Sequence, residues 1–383
     1  MTGAFNVSLD ELRGRQSYKW RAHPSDVLPA FVAEMDYSLA PPIADVLAEA
    51  TRLGDTGYAW ADPRVGEAFA SFAAARYGWT LDAADVVLIP DVMAGVLEVL
   101  RSVTAPGDGV VVNPPVYPPF FSHIAEARCT VVDVPLARHD GMYSLDLDAL
   151  ERAFAGGARV YLLCNPHNPT GRVFSRADLT RIAELADRYS VLVLSDEIHA
   201  PLVLSGATHV PMLSLGEPAV STTIAFVSSS KGWNTPGLKC AQAVAVSPRT
   251  RAVLANISED AIFRTGYLGV LATIAAYRDG GAWLDQLLGV LDRNRRRMAE
   301  LVTSLIPNAR YTPPEGSYLG WIDCSALDLQ GDPAGVFLER GRVALRPGPD
   351  FGAGGDGFVR VTMATSESIL EDIVQRMRAA LTA

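Results

Sequence analysis

Lys231 closes the run Ser228-Ser229-Ser230-Lys231, directly after the apolar, strand-like stretch Thr222 to Val227. An amine at the end of a buried strand loses hydration, a cost that makes sense when its chemistry is used. A partly desolvated lysine gives up its proton more readily and becomes a nucleophile. The three hydroxyls before it suit an anion such as phosphate. A nucleophilic amine beside a phosphate site points to pyridoxal 5′-phosphate (PLP), bound as a Schiff base. Alone, the run also reads as a Ser-rich turn before an exposed lysine, so the rest of the chain must decide.

Two further stretches carry chemistry. Asn165-Pro166-His167-Asn168-Pro169-Thr170-Gly171 follows an apolar run. Its X-Pro steps and glycine make a non-helical loop that can hold the Asn168 amide against a ligand, or simply a turn. Asp196 follows the apolar run Val191–Leu194. A carboxylate at a buried strand end wants a cation, and a protonated pyridine nitrogen would serve. The competing role is a helix N-cap, but Pro201 argues against a long helix starting there.

These residues need a scaffold, and the pattern supplies one. Candidate strands are Val86–Ile89, Val110–Val112, Val160–Leu163, Val191–Leu194 and Ile224–Val227, with helical periodicity between most of them. Asp178–Tyr189 is one such helix, with Leu179, Ile182, Leu185 and Ala186 on one face. Such alternation is α/β with a mainly parallel sheet. Ligands of open α/β sheets bind outside the carboxyl ends of the strands. Polar residues follow each strand here: Asp91 to Gly95, Asn113 to Tyr117, Asn165 to Gly171, Asp196 to His199, and Ser228 to Lys231. The last hundred residues read as a smaller α+β domain. Its expected helices are Trp283–Leu305, Pro333–Arg340 and Ser366–Leu381, beside strands near Leu319–Ile322 and Phe358–Thr362. The expected division is 1–44, packing on the small domain or a partner; 45–280, the large domain; and 281–383, the small domain. Gly348–Gly357 reads as a flexible connection rather than a phosphate loop.

Composition narrows the function. A chain of 383 residues, 49% hydrophobic, can bury a large core in two domains. A net charge of −10 argues against nucleic acid as the main partner. The basic cluster Arg293 to Arg297 reads as a solvated helix face. No secretory leader and no membrane-length apolar run is visible, so neither secretion nor a membrane is expected. Cys129, Cys164, Cys240 and Cys324 are scattered, which fits a reducing cytoplasm better than disulfides or zinc. The histidines show no metal-binding spacing, and no metal is expected.

In this order and spacing, Asn-Pro-x-Asn-Pro-x-Gly, Asp-Glu-Ile-His and Ser-x-Ser-Lys resemble the fold-type I PLP enzymes of the class I/II aminotransferase superfamily. The likeness is greatest to the cystathionine β-lyase/cystalysin-like C–S β-lyases, and runs from Trp20 to the C-terminal helix. Val32-Ala33-Glu34-Met35-Asp36 and Gly54-Asp55-Thr56-Gly57-Tyr58 are similar to that subgroup as well. The resemblance implies a seven-stranded, mainly parallel sheet in the large domain. It also assigns roles. Lys231 would carry the cofactor and later move the α-proton of the substrate. Asp196 would pair with the pyridine nitrogen, Asn168 with the ring's phenolic oxygen, and Tyr117 would stack on the ring. The amides of Val92 and Met93, with Ser228 and Ser230, would hold the phosphate. Lys239 stands where aminotransferases place a phosphate-binding Arg, and offers a point charge instead of a fork. Tyr58 would reach the phosphate from a neighbouring subunit, which implies a homodimer. Arg360 would clamp the substrate carboxylate, with Ala33, Tyr117 and Asn168 also at the substrate.

His199 stands where aminotransferases commonly carry Tyr, and the lyase subgroup has His there. Thr362, Gly232 and Trp233 depart from the usual pattern and bear on the substrate more than on the cofactor. The expected activity is therefore a β-lyase that converts cystathionine or another cysteine S-conjugate to pyruvate, ammonia and a thiol. An aminotransferase, or a specialised cysteine-conjugate lyase of natural-product biosynthesis, stands as the alternative. A PLP-fold transcription regulator would need lost site residues or an added DNA-binding domain, and neither is seen.

Overall fold

In a computed structural model, which describes residues 2–382, seven strands form the main sheet: β1 (Val86–Ile89), β2 (Gly109–Val112), β3 (Thr130–Asp133), β4 (Val160–Cys164), β5 (Leu192–Asp196), β6 (Thr223–Val227) and β7 (Ala241–Val244). Their spatial order is β1-β7-β6-β5-β4-β2-β3. Only β7 runs antiparallel to its neighbours, β1 and β6. The other six strands therefore end at one rim.

Alternation along each strand feeds two faces. Val111, Tyr161, Leu163 and Val193 pack on one side, with Leu179, Ile182 and Leu185 of the helix Arg176–Tyr189. Val110, Val112, Leu162, Leu192 and Leu194 pack on the other, with Val96, Val99 and Leu100 of the helix Val92–Val103. Burial on both faces is what makes these strands read as continuous apolar runs. The helix expected from Asp178 starts two residues earlier because Ser175 and Asp178 form a capping box. The strands β3 and β7 were not expected. β3, Thr-Val-Val-Asp, is β-branched but is a short, partly exposed edge without the buried apolar run that marks the other strands, and β7 is the Ala-rich Ala241–Val244, with little strand propensity of its own.

The last hundred residues form a four-stranded antiparallel sheet of β8 (Arg310–Tyr311), β9 (Leu319–Asp323), β10 (Arg346–Pro347) and β11 (Phe358–Thr362), in the order β8-β9-β11-β10. The helices Gly281–Leu305 and Glu367–Ala380 cover it through Met298, Leu301, Ile373 and Met377. The Gly348–Gly357 stretch is packed, which corrects the expectation of a flexible connection. A Cβ on Gly348 would meet the carbonyl of Gly355 at 2.0 Å, and Phe351 is fully buried.

The N-terminal residues join both parts. Leu12, Trp20 and Leu28 pack with Met298 and Met377, whereas Phe5, Met35 and Tyr37 pack with Trp233 and Leu284. Leu28 and Pro29 pair in parallel with Val343 and Ala344. The turn at 31–37 is pinned from several directions. Lys19 Nζ meets Asp36 Oδ1 at 2.8 Å, with both side chains buried. Asn234 accepts from Met35 N at 2.8 Å and donates to Met35 O at 2.9 Å. Among the described residues no helix is long and apolar enough to cross a membrane, and no cluster of metal-ligating side chains occurs.

Removing one partner of a buried ion pair leaves an uncompensated charge. Asp36→Ala is therefore expected to destabilise the protein by ~3–5 kcal/mol, measured by denaturant unfolding, whereas removing an exposed carboxylate such as Glu49 should cost under ~1 kcal/mol. Equal losses for the two variants would remove the 31–37 turn from its central place.

Candidate active site

The rim formed by the strand ends encloses a cavity of ≈ 310 Å³. Ala33, Val92, Met93, Tyr117, Asn168, Asp196, His199, Ser228, Ser230, Lys231 and Lys239 all line it. Residues far apart in sequence thus meet because β1, β4, β5 and β6 end side by side, and because β7 starts there.

Lys231 sits in the short helical turn Ser229–Gly232 after β6. Its Nζ donates to the carbonyl of Ala33 at 2.9 Å. Burial, reinforced by the nearby Arg360 guanidinium, lowers its pKa to about 8. Roughly a tenth of the amine is then neutral and nucleophilic at pH 7, against well under ~0.1% at the ordinary lysine value. Asp196, the last residue of β5, is buried and accepts only a backbone N–H, from Ile198 at 3.1 Å. Burial raises its pKa to about 7, and neither that bond nor Lys231 offsets the desolvation.

His199 is buried, and its Nδ1 has no hydrogen-bond partner. Burial and the positive charges of Lys231 and Arg360 hold its pKa well below the ordinary value, so the ring is neutral. Arg360, on β11, reaches the site from the small sheet. Its Nη1 donates to Asn168 Oδ1 at 3.1 Å and its Nη2 to Phe31 O at 2.9 Å, while Nε has no partner. Burial lowers its pKa to about 10, still far above neutrality. The bond to Oδ1 turns the Asn168 amide so that its donor, Nδ2, is left for a ligand. The loop bearing Asn168 is held by Asn165 Oδ1, which accepts from Phe174 N at 3.0 Å, and by Gly171. Gly171 has φ +69, and a Cβ there would meet Pro314 Cβ at 2.2 Å.

At the opposite end, Asp91 caps the helix Val92–Val103 by accepting from Ala94 N at 2.8 Å. The first N–H groups of a helix have no intrahelical partner and bind anions well. Ser228 Oγ donates to Cys240 O at 2.8 Å and accepts from Ser230 N at 3.0 Å, which shapes the turn beside them. Lys239 also faces this end, with its amine paired to Asp91 Oδ2 at 3.0 Å. Tyr58 alone among the sequence-selected residues stands apart, 84% exposed and edge-on to Phe263 at 6.1 Å.

Several residues of the site escaped the sequence reading. Tyr318 donates to the same Ala33 carbonyl as Lys231, at 2.8 Å. Cys164 and His123 line the cavity, and Asn234 fixes the turn that carries Ala33. Asp91 was already marked among the polar residues at the strand ends; for Tyr318 and Asn234 the contacts are long-range, and no local pattern marks them.

The donor set fits PLP. A helix N-terminus with adjacent hydroxyls suits its phosphate, and an uncompensated carboxylate suits its ring nitrogen. An amide donor and the orphaned His199 suit polar ring substituents, and a desolvated amine suits its aldehyde. Residues 38–377 match the aminotransferase class I and II family, and the chain belongs to it. It is 46% identical over 398 residues to a Mycobacterium leprae (strain TN) protein named "Putative cystathionine beta-lyase", covering 98% of this chain and 97% of that one. It is 33% identical over 380 residues to cystathionine beta-lyase PatB of Bacillus subtilis (strain 168), covering 97% and 98%. The crystal structure of cystalysin from Treponema denticola, which contains PLP, superposes with a TM-score of 0.93 at 27% identity over 100% of this chain and 99% of that one.

The raised Asp196 pKa has a sign. In the protein freed of cofactor, this group adds stability below about pH 4 and loses it as pH rises to about 7, because the unfolded chain ionises first. Asp196→Asn cannot ionise. The cofactor-free variant should match wild type near pH 4 and exceed it at pH 8, by at most ~4 kcal/mol, while activity is lost. A stability difference that does not change with pH would contradict the uncompensated carboxylate.

Proposed function

We propose that this chain is a PLP-dependent carbon–sulfur β-lyase that acts on L-cystathionine or another cysteine S-conjugate. PLP is its cofactor. The observation that carries the reading is the desolvated Lys231 amine set in one cavity with the uncompensated Asp196 carboxyl and a neutral His199. Relatives named cystathionine beta-lyase, at 33–46% identity over nearly the whole chain, support the carbon–sulfur specificity.

When bound, PLP supplies an electron sink for negative charge at the substrate α-carbon. The protein's residues do the rest. Asp196 holds a proton at the ring nitrogen, and Asn168 Nδ2 donates to the phenolic oxygen. Tyr117 covers one ring face. The Val92 and Met93 amides and Ser230 would receive the phosphate; Ser228, whose O–H goes to Cys240 O, would support it through the turn it shapes, and Lys239 would add charge near it. Arg360 receives the substrate α-carboxylate, its fork held in plane by Asn168 and Phe31. Lys231 would hold the cofactor through its amine, and that amine, which here donates to the Ala33 carbonyl at 2.9 Å, would also serve as the base for the α-proton. Loss of that proton lets the β-carbon–sulfur bond break with the electron pair leaving on sulfur. The net reaction takes a cysteine S-conjugate and water to a thiol, pyruvate and ammonia.

An S-alkyl cysteine or L-cystathionine should give thiol, pyruvate and ammonia in equal amounts with no keto acid added. L-Alanine, which has no leaving group, should be turned over only slowly. Efficient turnover of alanine or an aromatic amino acid that depends on an added keto acid would make the protein an aminotransferase instead.

We also propose a homodimer in which Tyr58 completes the neighbour's phosphate site. Its 84% exposure, beside exposed Trp60 and Phe263, suits a surface that a second copy covers. Mixing inactive Tyr58→Ala with inactive Lys231→Ala subunits should restore activity through heterodimers with one intact site. No rescue, with subunit exchange demonstrated by mass, would confine Tyr58 to its own subunit.

A further inference from the structure

Behind the cavity, a second pair of titratable groups is buried that the chemistry above does not use. Glu197 directly follows Asp196, and it is 2% exposed. Its carboxyl is fully engaged. Oε1 accepts from Ser195 Oγ at 2.9 Å and from Met212 N at 3.0 Å, and Oε2 meets His209 Nε2 at 3.0 Å. Its backbone N–H donates to Phe226 O at 2.9 Å, which continues the β5–β6 ladder one residue past Asp196. His209 is itself buried, and the Tyr77 ring stands edge-on to it at 5.2 Å.

The carboxyl receives two donors at Oε1 and faces the His209 ring nitrogen at Oε2, so both of its oxygens are spent on partners held by the fold. Plain packing would not require this. An apolar residue in the surround of Phe69, Phe72 and Trp79 would fill the same space without a desolvated acid. Ser195 and Glu197 flank Asp196 in sequence and their side chains bond to each other, so the backbone on both sides of Asp196 is clamped. Charge on the Glu197 carboxyl, one residue away, also opposes loss of a proton from Asp196 or from whatever Asp196 binds.

We propose that Glu197, locked by Ser195, Met212 and His209, is a positioning residue that keeps the proton in the pair formed by Asp196 and the cofactor's ring nitrogen. This rests on the assignment of Asp196 to that nitrogen. Glu197 touches neither cofactor nor substrate; it acts through Asp196, by orientation and by charge. His209 holds the carboxyl in place from the far side.

The test uses holoenzyme loaded with PLP carrying ¹⁵N in its ring. The nitrogen resonance, followed against pH, reports whether the ring nitrogen holds a proton, independently of turnover. In wild type it should stay protonated through neutral pH. In Glu197→Gln, which keeps the shape but not the charge, the midpoint of proton loss should fall by about one unit or more, as expected for a nearby unit charge at an effective dielectric of about 20. Ser195→Ala, which removes one bond and no charge, should move it much less. If Glu197→Gln does not fold, Glu197→Gln combined with His209→Gln replaces the pair by two hydrogen-bonding amides and should show the same fall. A wild-type midpoint in a folded Glu197 variant overturns the proposal. Asp196→Asn separates the two claims. If it shifts the resonance and the Glu197 variants do not, the proposal alone fails; if it leaves the resonance unchanged, the assignment of Asp196 fails.

Discussion

Asp196 stands at the carboxyl end of a fully buried strand, where water cannot stabilise its charge. The carboxyl accepts one backbone bond and keeps an affinity for protons near that of a neutral-pH buffer. A fold gains nothing from such a group by itself. The same holds for Lys231, whose amine is desolvated, and for His199, whose Nδ1 bonds to nothing. Each is costly in isolation. Together they describe the electrostatic outline of a cationic, oxygen-rich and aldehyde-bearing ring.

Holding that outline open takes most of the architecture. Parallel strands bring their ends to one rim, so five separate loops meet there. The turn at 31–37 then ties the two parts of the molecule across the cavity. Phe31 O receives Arg360 from the small sheet, Ala33 O receives both Lys231 and Tyr318, and Met35 is clasped by Asn234 next to the lysine turn. The buried Lys19–Asp36 pair anchors the turn itself. Arg360, proposed to receive the substrate carboxylate, and Lys231, proposed to be the reactive amine, are thereby referred to one short stretch of backbone. A shift of that stretch would move both, which links the stability of the N-terminal residues to the chemistry.

Much of this was legible in the sequence, for identifiable reasons. The strands β2, β4, β5 and β6 are largely buried on both faces, as is the end of β1, and their Val-, Leu- and Ile-containing apolar runs announce it. The residues after them are polar because they line the site, so Asn168, Asp196 and Lys231 could be picked out directly. β7 escaped because its place between β1 and β6, not the propensity of Ala-Gln-Ala-Val, makes it a strand. Tyr318 and Asn234 escaped because their roles are set by partners some 200 residues or more distant. The Gly348–Gly357 stretch misled because glycine signals close packing as well as freedom, and here backbone meets backbone. Glu197 was hidden inside a motif that drew attention only to its first and last residues, and its partner His209 lies outside that motif.

The proposed chemistry requires Lys231 both to capture PLP and to be an amine made reactive by desolvation. The direct measurement is the rate of covalent capture of PLP by cofactor-free protein across pH, trapped with borohydride and located by peptide mapping. The label should fall on the peptide containing Lys231, with a rate that rises through a midpoint near the Lys231 pKa of about 8. A label on another lysine, or a midpoint near the ordinary lysine value of ~10.4, would contradict it.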